Sequence, residues 1–83
     1  MNESVTERFL MRFKDKPSPH FIAGVQETFD NIEAYMLRVG VVQLLPMLRQ
    51  RRNWCLERMY SKQFNQDYLL GCLAVLDHCL KEH

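Results

Sequence analysis

Three observations predict an all-α fold, a small three- to four-helix bundle, for this chain of 83 residues. Apolar residues recur at intervals of three and four, the repeat of one helix face, and no strand-like run extends beyond Val41 and Val42. Pro17, Pro19, Gly40 and Pro46 fall where those segments meet, as helix-breaking residues should. A hydrophobic fraction of 47% against 25% charged residues supplies apolar surface for a packed core and argues against a disordered tail. A chain this short is expected to form one helical domain, residues 1–83, that buries a modest share of its surface, so a partner or copies of itself are expected to add stability.

The first helix is expected over about 5–14, because Ser4 and Glu7 fit a capping box and Thr6, Phe9, Leu10 and Phe13 share a face. Pro17 and Pro19 exclude its continuation, and Ser18 with Pro19 marks a new N-terminus. The second helix is expected over 19–39, where Ile22, Val25, Phe29, Ile32, Met36 and Val39 follow the spacing 3, 4, 3, 4, 3. That seam serves either the bundle core or self-association, and it is too short for an extended coiled coil. Glu27, Asp30 and Glu33 make the remaining surface of this helix acidic, and Gly40 occupies the usual C-terminal glycine position.

A third helix is expected over about 43–62, since Pro46 is tolerated in a first turn. One alternative is a single long helix, 19–62, kinked near Gly40 to Pro46. Asn65 reads as the N-cap of a last helix over about 66–82, in which Leu69, Leu73, Leu76 and Leu80 lie beside Tyr68, Cys72, Val75 and Cys79. This broad apolar face should make it the most buried element, and Gly71 with Ala74 suits close backbone approach.

The formal charge of +1 is unevenly spread. Residues 41–64 hold five Lys or Arg against one acid, whereas acids outnumber bases on either side. On helical angles the basic block divides: Leu44, Leu48, Cys55 and Met59 form a core face with Leu45 and Leu56 beside them, and Arg52 falls inside that sector, suited to snorkelling or to an acid on a neighbouring helix. Met47, Arg51, Trp54 and Arg58, spaced 4, 3, 4, form an adjacent stripe. Trp and Arg are the residue types that most often anchor interfaces, which makes this stripe the candidate partner-binding surface. The structural alternative is an internal face in which these arginines meet Glu27, Asp30 and Glu33. Guanidinium groups also bind phosphates and an indole stacks on bases, so a nucleic-acid-binding helical module is the alternative function, although one local excess of four charges is small for it.

No catalytic set is expected. His20, His78 and His83 are scattered, no Gly-rich phosphate loop is present, and Cys79 with His83 makes at most half a metal site. No cofactor and no metal are therefore expected. Cys55, Cys72 and Cys79 form no C-x-x-C pair, which suggests small core hydrophobes in a reducing cytoplasm. The first seven residues lack the basic and apolar regions of a signal peptide, and Val39 to Leu48 is too short to span a bilayer.

The segment Asn65-Gln-Asp-Tyr-Leu-Leu-Gly-Cys-Leu-Ala-Val-Leu-Asp77, following an Arg-rich helix, resembles the short helical proteins encoded by tailed bacteriophages, most closely at Tyr68-x-x-Gly71-x-x-Ala74. The resemblance covers the last third of the chain and assigns no residue a role. It implies a virion component, an assembly factor or a small inhibitor of a host protein, located in the virion or the host cytoplasm. The resulting expectation is a non-enzymatic protein-binding or self-assembling module with no membrane partner.

Overall fold

The structure, a computed structural model, describes residues 4–13 and 15–81. Lys14 and Glu82, at the expected ends of the outer helices, and His83, the expected neighbour of Cys79, lie outside the described residues, as does Met1. The protein is all-α: α1 (Val5–Leu10), α2 (Pro19–Val39), α3 (Leu44–Arg58) and α4 (Gln66–Lys81) pack against one another, with no strand among the described residues.

Each boundary has a local cause. The Ser4 hydroxyl accepts from the Glu7 amide at 3.1 Å to start α1, which is shorter than its apolar pattern and ends in a turn at Met11. Ser18 begins α2 by accepting from the Phe21 amide at 3.2 Å, and its hydroxyl also donates to Asp67 at 3.0 Å, tying this end of α2 to the first turn of α4. Gly40 ends α2 with φ of 83°, a conformation that side chains with a Cβ rarely adopt, and its amide donates back to the Met36 carbonyl at 3.0 Å. A 3₁₀ turn at Val41–Gln43 then leads into α3, so two helices stand where the sequence also admitted one kinked helix. The Asn65 side chain caps α4 by accepting from the amides of Asp67 and Tyr68 at 2.9 and 3.3 Å.

α4 carries six buried residues, Leu69, Gly71, Cys72, Leu73, Val75 and Leu76. On one side they join Leu44, Leu48 and Cys55 of α3 in the larger core; on the other, Val75 meets Phe9 of α1 and Val25 of α2. The α2–α4 crossing is a reciprocal glycine contact. A Cβ on Gly24 would run into the Tyr68 carbonyl, and a Cβ on Gly71 into the Phe21 carbonyl. Two glycines thus let the backbones approach closely, which offsets their poor helix propensity.

Phe9 is the anchor of α1. Its ring meets Phe13, Phe29 and His78 edge-on at centroid distances of 5.7, 5.6 and 5.4 Å. Arg12 donates to Nδ1 of His78 at 2.7 Å, so that nitrogen accepts and the α1 end is fastened to α4.

Candidate functional site

The sequence places Met47, Arg51, Trp54 and Arg58 on one stripe of α3, and in the structure all four are half-buried, at the edge of the α3–α4 core. The stripe is folded onto its own tryptophan. The guanidinium carbons of Arg51 and Arg58 lie 4.3 and 4.2 Å from the Trp54 ring centroid, close enough for strong cation–π attraction. Arg58 also donates to the Trp54 carbonyl at 3.1 Å and stands 3.7 Å from Glu57, while Phe64 packs edge-on against the indole at 5.2 Å. No ion pair joins Arg51 or Arg58 to Glu27, Asp30 or Glu33 among the described residues. These arginines turn to the indole and not to the acidic side of α2.

Arg52 behaves differently. Its Nε donates to the Asp77 carboxylate of α4 at 2.6 Å, an ion pair that remains largely open to solvent. Leu56, which helical angles put beside the core, is instead exposed, near the end of α3, where the helix gives way to a turn at Met59.

Two grooves flank the C-terminal half of α2. One, of about 440 Å³, is lined by Ile32, Tyr35, Met47 and Leu76 with Arg38 and Arg51 as its charged residues, and it continues over Met47 and Arg51 to Gln50 and Trp54. The other, of about 420 Å³, is lined by Val5, Phe29, Ile32, Met36 and Leu37 with Asp30 and Glu33 as its charged residues. Among the described residues, the first has no carboxylate in its lining and the second no cation.

The six seam residues divide accordingly. Val25 is fully buried and Ile22, Phe29 and Ile32 are half-buried, whereas Met36 and Val39 are exposed. Tyr35 and Arg38, which complete the basic groove, carried no expectation. Thr28, Asn31, Tyr35 and Arg38 follow the spacing 3, 4, 3 beside the apolar seam, and that stripe was the available signal.

Cys55, Cys72 and Cys79 form no disulfide, and Cys55 and Cys72 are buried in the larger core. The Cys72 thiol donates to the Gly24 carbonyl at 3.6 Å, on the glycine crossing. Hydrogen bonding with Cys55, Thr28 and Tyr68 lowers it to about 6 against the opposing effect of burial. Cys55 is pushed up by its hydrogen bond to Cys72 and by burial, so the pair releases one proton far more readily than two. Burial, and next the neighbouring Cys72, raise Tyr68. Cys55 and Cys72 lie inside the packing, and Tyr68 is half-buried beside them. No group of three or more His, Cys, Asp or Glu residues suited to a metal ion occurs among the described residues. No described helix is long and apolar enough to cross a membrane.

Comparison with known proteins finds no matching family model, no matching curated protein and no matching solved structure.

Proposed function

We propose that this protein is a non-enzymatic interaction module that binds protein through the face carrying Met47, Arg51, Trp54 and Arg58. The observation that carries this reading is the stacking of two guanidinium groups on one half-buried indole at the mouth of an apolar groove. Side chains held this way lose little further freedom on binding, so the interaction energy of the Trp and Arg anchors is realised with a small ordering cost. The nucleic-acid alternative has less behind it, since Arg52 is already neutralised by Asp77 and Arg58 lies beside Glu57. The C-terminal resemblance suggests where such a module works: as a virion component, an assembly factor or an inhibitor of a host protein, in the virion or the host cytoplasm.

A photo-crosslinking amino acid at position 47, compared with one at Asn53 on the far side of α3, tests the reading. Protein adducts form from position 47 and not from 53, and they disappear in the Arg51→Glu/Arg58→Glu variant. Equal labelling from both positions, or adducts with nucleic acid alone, would overturn it.

A further inference from the structure

We infer that the partner of the basic groove is a second copy of this chain, joined head to tail: the acid-lined groove side of α2 in one copy docks against the base-lined groove of the next. This rests on the interaction-module reading and names the occupant of part of the same surface. The chain itself carries the complement. One groove offers Arg38 and Arg51 around an apolar floor, and the other offers Asp30 and Glu33 around apolar residues of its own.

Apolar side chains also protrude on the acidic side. Leu37 is 83% exposed, Val5 61% and Met36 39%. Leu37, Val5 and Met36 there are the apolar knobs that a groove floored by Ile32, Tyr35, Met47 and Leu76 can receive. Opposite charges at the rims fix the register, since matching like surfaces would set Asp30 and Glu33 against their own copies. The two grooves lie on opposite sides of one helix, so the contact is heterologous and leaves each end open for another copy, giving a ring or a filament and not a closed two-fold dimer. A net charge of +1 leaves little overall repulsion to oppose the stacking.

Sedimentation of two half-dead variants, separately and mixed, tests this. Leu37→Ser/Met36→Ser disables the protruding side, and Arg38→Glu/Arg51→Glu disables the basic groove; circular dichroism establishes that each variant is folded. The unaltered chain of 9.9 kDa is expected to grow beyond two copies as its concentration rises, and to shrink at 0.5 M salt. Each variant alone stays a monomer, while an equimolar mixture forms a heterodimer and stops there, because only one live contact exists per pair. A monomeric unaltered chain, a dimer that never grows, or a mixture that stays monomeric overturns the inference. If adducts from position 47 then identify a different protein, the interaction-module reading stands without it. Should one variant prove unfolded, the single change Leu37→Ser or Arg38→Glu replaces it with the same expected outcomes.

Discussion

The two halves of α2 share one apolar repeat and have opposite fates. Between Pro19 and Phe29, Gly24, Val25 and Thr28 are buried and the helix backbone lies directly on α4. Between Asp30 and Val39 no residue is buried, and the helix instead separates two grooves of opposite charge. The difference shows that a glycine, not the apolar seam, decides where α2 is held. Spacing tells which side of a helix is apolar, whereas the length over which a partner helix covers that side depends on how closely two backbones meet.

The largest break in this comparison is Gly24→Val. The new side chain meets the backbone of Tyr68 and Cys72, which cannot rotate away as a side chain would. A cost of about 3 kcal/mol or more is expected from overpacking, a large share of the roughly 5 to 10 kcal/mol that holds a domain of this size. Urea denaturation should show the midpoint falling sharply or the transition disappearing. Near-native stability would mean that α2 and α4 cross elsewhere.

Phe29→Ala probes the boundary between the halves. The ring closes the edge-on pair with Phe9 and lines the acidic groove, so it is only half-buried and should cost about 3 kcal/mol, toward the lower end for a truncated core phenylalanine. Calorimetry of this variant should also show α1 loosened, because Phe9 loses one of its three ring partners. A change below about 1 kcal/mol would place Phe29 with the exposed half.

A pH dependence is expected where the tight half of α2 crosses α4, because Cys72 of α4 donates to the Gly24 carbonyl there. Cys72, lowered to about 6 from an ordinary 9.0, adds stability that is complete above pH 9 and lost as pH falls toward 6. Cys55 and Tyr68 are raised, so their contribution is complete below their ordinary values of 9.0 and 10.0 and is lost as pH climbs past them. Under reducing conditions the melting temperature should therefore rise from pH 6 to about 9 and fall beyond it. In Cys72→Ala the rise should vanish. A profile unchanged by that substitution would separate the thiol from the crossing.

Much of this architecture was legible because its signals are local. Ser18-Pro19 and Gly40 bracket α2, and Asn65 caps α4 through its own neighbouring amides, so a few adjacent residues carry the whole cause. The angular division of α3 held except at Leu56, which is exposed: Leu44, Leu48 and Cys55 are buried and Arg52 meets an acid of another helix. Gly24 was not legible, because a glycine in a helix pattern reads the same whether it faces water or another backbone. The pairing of Arg51 with Trp54, and the addition of Tyr35 and Arg38 to one groove, depend on rotamers and on how α2 sits beside α3. Those are tertiary facts, and helical spacing carries only angle.

Leu37→Ser should have the smallest effect on folding and the most specific effect on assembly. The side chain is 83% exposed, so the folded chain loses almost no burial, and the change in unfolding free energy of a dilute sample should stay within about 0.5 kcal/mol. Self-association stabilises only the folded state, so the melting temperature of the unaltered chain should climb with protein concentration by mass action, while that of Leu37→Ser stays constant. A loss of stability in dilute Leu37→Ser would put this residue in the packed half of α2 after all. A concentration-dependent melt that survives the substitution would move the contact between copies away from the acidic side of the helix. The division of α2 therefore has a thermodynamic signature: substitutions at the residues buried before Phe29 act at any concentration, and Leu37→Ser acts only where copies meet.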